Sequence, residues 1–329
     1  MIEKRYIGID GCKSGWFFVS IGPGEDCEFG VFGDMGKLFA AYSDAKWMLV
    51  DIPIGLPFED NKTRSCDSHA RKVLSPKRHS SVFSPPCRET LSAANYEDAC
   101  NVNQMVTGRK ITIMAFHLIP KIREVDGLLH DNAMARNIIR ESHPEVCFWA
   151  LAGYDPMDQY KKSKEGLAER LTLLNEHFPK SAAIYKAALD RYPRKRVARD
   201  DILDALVLAV TASLLGESEA TFPEHPDKDL SGLPMEIVYA IPEKPKQEIK
   251  VREDNLTIVN ELERLYPGKN VKPPSIDSTY SIIDSDGEKY LQIDTYGPSS
   301  QSNFAKTGQS IRFTPEAIKQ LKTIIDSEL

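Results

Sequence analysis

The sequence predicts an α/β fold in which a mixed sheet is flanked by helices, with a small α+β module at the C-terminal end. Three observations predict it. Glycine turns break residues 5–32 into three strand-like pieces, Trp47 to Val50 forms a fourth strand of unbroken bulk, and RDDILDALVLAVTASLL at 199–215 is a helix apolar nearly all round. A helix of that kind is buried on every side, so it needs a sheet and further helices around it. At 329 residues, 41% hydrophobic and 27% charged, the chain lies in the globular range and is long enough for about two domains. Its net charge of -6 gives no overall reason to bind nucleic acid, which leaves such binding to local basic clusters.

In the first piece, Tyr6, Ile7 and Ile9 supply strand bulk, and the strand closes on Asp10. Gly11 and Gly15 bracket a tight turn, residues 16–21 form a second strand, and Gly22-Pro23-Gly24 ends it. Residues 27–32 complete an antiparallel meander. Asp34 is placed to cap a short helix running through Tyr42, with Leu38, Phe39 and Tyr42 inward. That helix returns the chain to the fourth strand, which runs parallel to the first and ends on Asp51 before Pro53, Gly55 and Pro57.

Helices are expected over 63–74 and 92–106, separated by the basic, proline-rich loop SPKRHSSVFSPPCRE. An amphipathic helix follows over 112–129, and Pro120 inside it predicts a kink or break. Residues 136–142 read as a fifth strand delivering Glu141, next to His143-Pro144-Glu145. Two further helices span 163–177 and 181–191. After Gly216 the composition turns polar, and residues 219–250 read as a linker containing one extra strand, EIVYAI. The last part offers a helix near 256–266, a hairpin over 280–296 turned by Asp286-Gly287, and a closing helix from Thr314. The expected domains are therefore 1–218, a linker at 219–250, and a module at 251–329.

Three meandering strands, a helix and a strand parallel to the first make up the skeleton of the ribonuclease H-like fold. On it, Asp10 and Asp51 project from neighbouring strands about 4.8 Å apart. Two carboxylates that close repel one another unless a cation lies between them, and a divalent metal is the economical explanation. On the apolar helix, Asp201 and Asp204 are three residues apart and share a face with Asp200. Asp200 and Asp201 occupy positions where acids commonly cap a helix, whereas Asp204 lies too deep for that.

The six cysteines form neither CxxC nor a Cys/His metal spacing and read as reduced thiols. The N-terminal residues enter a strand pattern directly, and no window approaches 18 uninterrupted apolar residues. The expectation is a cytoplasmic protein without a membrane partner.

Eight blocks occur in one order: GIDGCKSGW at 8–16, VDIPIGLP at 50–57, RSCDSHAR at 64–71, SVFSPP at 81–86, TGRKIT at 107–112, KIREVD at 121–126, ESHPEV at 141–146 and DDILDALVLA at 200–209. With these the chain resembles the DUF429 family, whose members are regarded as ribonuclease H-like nucleases. The resemblance covers residues 5–216. It departs at Met114, where a Gln is expected near the TGR block. The resemblance implies the fold, and an activity that is itself mostly inferred from that fold.

Acids in this pattern point to metal-dependent hydrolysis of phosphodiester bonds in DNA or RNA. Asp10, Asp51 and Asp204 are the expected ligands of Mg²⁺ or Mn²⁺, with Asp201 or Glu141 as a further ligand or proton acceptor and His143 as a candidate base. Two such ions about 3.5–4 Å apart can activate water and stabilise the leaving oxygen. Lys13, Arg64, Arg71, Arg88 and Arg109 are the candidates for holding phosphates. The basic residues at 161–164 and 191–199 read as a solvated face.

Two other readings stand beside this one. An ATP-dependent phosphotransferase of the actin and sugar-kinase class shares the strand order, but it needs a second glycine-rich phosphate turn that the sequence lacks. A non-catalytic nucleic-acid or protein-binding module would account for the C-terminal module, through which a protein partner or self-association is expected.

Overall fold

Gly15 closes the first turn of the sheet at φ 121°, a conformation that side chains rarely adopt, and a Cβ there would lie 2.1 Å from the Phe32 carbonyl oxygen. The turn joins β1 (Tyr6–Cys12) to β2 (Gly15–Ile21), and β3 (Cys27–Phe32) completes the antiparallel meander. These elements belong to a computed structural model that describes residues 4–58, 63–216, 218–241, 256–259, 278–285, 288–296 and 307–328.

Helix α1 (Met35–Ala41) is capped by Asp34, whose side chain accepts from the Lys37 amide at 2.8 Å. It leads to β4 (Trp47–Val50), which pairs parallel with β1 so that Ile9 stands opposite Val50. The chain continues through α2 (Ser65–Val73), α3 (Tyr96–Thr107) and α4 (Ile113–Asp131). Of the kink or break that Pro120 suggests, the break does not occur: the proline sits inside α4 without ending it. The helix buries Ala115, Ile119, Ile122, Val125 and Leu129 on both sides of the proline, and this burial outweighs the one backbone bond a proline forfeits.

Helix α5 (Ala133–Ile138) takes up the first three residues of what reads as a fifth strand, leaving β5 (Ile139–Glu141) parallel to β4. Helices α6 (Pro144–Leu151), α7 (Lys164–His177), α8 (Ser181–Arg191) and α9 (Arg199–Leu214) follow. The sheet order is β3-β2-β1-β4-β5, a mixed sheet with helices on both faces.

The faces follow from the two-residue period of a strand. Ile7, Ile9, Trp16, Phe18, Met48 and Val50 face a core shared with α1 and α4, whereas Phe17, Val19, Ile21 and Leu49 face α6, α7, α8 and α9. Helix α9 lies centrally on the second face, with Ile202, Leu203, Leu206, Val207, Leu208 and Val210 at most 1% exposed. Burial of each such side chain contributes roughly 1.5–3 kcal/mol.

The chain divides into two compact units, Met1–Lys244 and Pro245–Leu329. Strands β6 (Glu219–Phe222) and β7 (Ile237–Ala240) pair antiparallel, and Val238 bridges to Ser142 beside β5. Much of the stretch that reads as a linker is thus built into the first unit. Its polar composition conceals an anchor: Asp229 is buried and accepts from the amides of Leu56, Ser231 and Leu233.

In the second unit β8 (Leu256–Val259), β9 (Ser278–Ser285), β10 (Glu288–Tyr296) and β11 (Thr307–Phe313) form a sheet in the order β8-β11-β10-β9, followed by α10 (Pro315–Glu328). The expected hairpin corresponds to β9 and β10; its Asp286-Gly287 turn lies outside the described residues. Residues 256–259 are a strand rather than the start of a helix, because they pair with β11; the remainder of that expected helix is also outside the described residues. Among the described residues no helix is long and apolar enough to cross a membrane, and none of the six cysteines forms a disulfide.

Candidate carboxylate centre

The centre begins with a glycine. A Cβ on Gly8 would lie 2.1 Å from both the Ala205 carbonyl oxygen and the Ala209 amide nitrogen, so only glycine allows α9 to rest directly on β1. Two residues further along the same face comes Asp10, 8% exposed, at the level of the first turns of α9. Asp51 follows β4 on the neighbouring strand, and its amide continues the parallel ladder by donating to the Ile9 carbonyl at 3.0 Å. Asp204 is 2% exposed on α9.

Electrostatics register how close these groups are. Burial pushes the Asp10 carboxyl well above the ordinary range, and repulsion from Asp51, Asp204 and Asp201 pushes it further. The Asp51 carboxyl is also raised, first by burial; His143 and Lys161 hold it down, while Asp204 and Glu145 push it up. Burial, with Asp200 and Asp204 alongside, raises Asp201 to about 6, although its Oδ2 accepts from the Ala198 amide at 2.8 Å. That last bond is a reach-back contact at the helix start, the ordinary capping role of an acid at this position.

A lysine stands among the acids. Lys161 Nζ donates to Asp204 Oδ2 at 2.7 Å and lies 3.9 Å from Asp200 Oδ2. Attraction to Asp204, with Asp10 and Asp51 adding to it, pushes the lysine above its ordinary range. Among the described residues, no three His, Cys, Asp or Glu side chains are drawn together as a metal cage in this arrangement. Two buried carboxylate oxygens, Asp204 Oδ1 and Glu145 Oε2, have no hydrogen-bond partner among the described residues. An unpaired buried acceptor is costly unless a cation or donor meets it.

The remaining sequence-derived candidates fall into two groups. Glu141 has the parity of Ile139 and so faces the α4 side, away from Asp10 and Asp51. Both its oxygens are taken: Oε1 accepts from Arg64 at 2.5 Å and Oε2 from the Ile54 amide at 2.6 Å, while burial raises its carboxyl to about 8 against the pull of Arg64. Arg64 is 1% exposed, also meets Cys66 and the Gly55 carbonyl, and cannot reach a phosphate. Arg88 is held by Asp126 and Asp229. Arg71 pins the Val82 carbonyl and the Ser84 hydroxyl. These three arginines brace the fold.

Lys13, on the turn after Asp10, and Arg109, between α3 and α4, are exposed. His143 caps α6: its Nδ1 accepts from the Glu145 amide at 3.2 Å, which leaves Nε2 to carry the proton toward the Ser81 carbonyl at 3.4 Å. The ring stands close enough to Asp51 to influence its charge.

Residues outside the sequence-derived set also border the centre. Glu145 is 3% exposed and paired with the equally buried Arg170 at 2.6 Å. Lys121 fills the space beside Gly11, donates to the Gly15 carbonyl at 2.5 Å and lies 4.2 Å over the Trp16 ring; burial lowers it, against Cys12, Glu124, Asp10 and Asp201. Glu124 accepts from Trp16 Nε1 at 3.1 Å. The sequence signal for Lys121 and Glu124 is the KIREVD block, and for Glu145 the acid after His-Pro. Lys161 carries no such signal, because a KKSK run is indistinguishable from a solvated surface.

No curated relative and no solved structure matches the chain. The family model DUF429, described as a protein of unknown function, matches residues 8–228, which covers every residue named at the centre. The chain belongs to the DUF429 family.

Proposed function

We propose that the protein is a metal-dependent nuclease of the ribonuclease H-like class, hydrolysing phosphodiester bonds of DNA or RNA at Asp10, Asp51 and Asp204. The observation that carries this reading is the convergence of three acids from β1, the end of β4 and α9, one of them with a buried oxygen lacking a partner among the described residues. The strand order β3-β2-β1-β4-β5, with α9 across β1, supports the fold assignment.

Carboxylate oxygens suit Mg²⁺ or Mn²⁺, and Asp10, Asp51 and Asp204 would hold the ion. When bound, it supplies an activated water and charge stabilisation at the leaving oxygen. The protein's own groups supply the rest. Lys13 and Arg109 offer exposed cations to the sugar-phosphate backbone, His143 steadies Asp51, and the face of α9 excludes water from behind the acids. Glu141 is left with a bracing role.

The test is incubation of the purified protein with single-stranded, double-stranded and structured DNA and RNA in Mn²⁺ or Mg²⁺, with EDTA and D51N/D204N as controls. Cleavage that needs metal and is lost in the double variant supports the reading. Cleavage that survives in the variant, or none on any substrate, refutes it. Thermal stabilisation by a nucleotide instead would favour the phosphotransferase.

A further inference from the structure

We infer that Lys161 occupies the position of one of the two cations such a centre would otherwise bind, so that the protein takes a single divalent ion per chain beside a built-in ammonium group. The inference rests on the metal-dependent reading above and specifies its stoichiometry.

Lys161 Nζ meets Asp204 Oδ2 at 2.7 Å, and Lys161 and Lys162 lie 3.9 and 3.7 Å from Asp200 Oδ2. Long lysines near acids are common on surfaces, where such pairs are worth little. This pair differs in that Asp204 is 2% exposed and the lysine is presented by a firmly held segment between α6 and α7. Gly153 and Tyr154 both take positive φ, 74° and 72°, and turn the chain sharply after α6. Arg78 then donates to the carbonyls of Met157 at 2.8 Å and Asp158 at 2.5 Å, and Lys77 binds Asp155 and Asp158 at 3.0 and 2.8 Å. The amides of Asp158 and Gln159 donate to the Glu169 carboxylate at 2.8 and 3.0 Å, and Arg170 Nη1 donates to the Gln159 carbonyl at 3.1 Å. Two residues later comes Lys161.

A side chain delivered by that many anchors stays at the centre. Among the described residues no other lysine pairs with Asp204: Lys162 lies 3.7 Å from Asp200 Oδ2, and Lys121 is turned onto the Gly15 carbonyl and the Trp16 ring. Asp204 therefore offers one oxygen to Lys161 and keeps Oδ1 for a metal shared with Asp10 and Asp51. The ammonium is then placed to face a phosphate oxygen of the substrate, as a second ion would.

The experiment counts Mn²⁺ ions by isothermal titration and by electron paramagnetic resonance on the full chain, in wild type, K161Q and K161R, with folding checked by circular dichroism. The inference predicts one ion in wild type, one in K161R and two in K161Q. It also predicts that K161Q melts lower than wild type in EDTA and recovers on adding Mn²⁺. Two ions in wild type, or no additional ion in K161Q, would overturn it. The nuclease reading is tested apart from this, by cleavage: one ion in wild type and two in K161Q without hydrolysis of any nucleic acid would uphold the inference and refute that reading.

Discussion

Gly8 lies directly beneath Ala205, whose carbonyl oxygen would stand 2.1 Å from a Cβ at that position. The contact sets the depth of α9 on β1, and with it the approach of Asp204 to Asp10. Gly8→Ala forces the helix outward, because the atoms in the way are backbone and cannot swing aside. The expected cost is about 3 kcal/mol or more, measured by urea unfolding. A variant as stable as wild type would contradict the close packing.

Arg64 and Arg109 separate bracing from binding. Arg64 joins Glu141 and Asp67 in a buried network, with pairs of 2.5 and 3.4 Å. Arg64→Ala leaves both acids without their partner and is expected to cost about 3–5 kcal/mol, with E141Q recovering part of the loss. Arg109→Ala, at an exposed site, is expected to leave the melting temperature unchanged and to weaken nucleic-acid binding in a salt-dependent manner. A stable R64A protein would remove the bracing role assigned to Arg64.

The acids make stability depend on pH in a defined direction. Asp201 rises from 3.8 to about 6 on folding, chiefly through burial, so between these values the folded state holds more protons than the unfolded one. Stability from this group is therefore full below about 4 and is lost as pH rises through about 6. Asp10 and Asp51 are displaced in the same direction. In EDTA the melting temperature should fall across this window, and Asp201→Asn should flatten part of the slope. A melting temperature that climbs steadily from pH 4 to 6, equally in both proteins, would contradict the shift.

The mixed sheet was legible because its signals are local. Glycine turns cut the meander, Trp47 to Val50 is apolar throughout, and strand ends place Asp10 and Asp51 without reference to distant residues. Asp204 stands out because an acid in the second turn, beyond the reach of the N-cap, sits poorly in an apolar helix unless something meets it.

What stayed hidden depends on partners far along the chain. Arg64 reads as an accessible cation, yet it is buried by Glu141, 77 positions away. Lys161 reads as surface until Asp204 is placed beside it. The short run PEVCFWAL has no period that separates a buried helix from a strand, so the sequence does not announce α6. Residues 217–234 look like a linker because Pro, Asp and Glu are frequent there and apolar residues few, whereas the buried run from Met235 to Ala240 that ties the stretch to the first unit comes only after them.

The most direct measurement of the central claim is anomalous scattering from crystals soaked in Mn²⁺. The account predicts a peak between Asp10 and Asp51 within coordination reach of Asp204 Oδ1, absent in D51N/D204N. A soaked crystal of the wild type with no manganese at these three acids would contradict it.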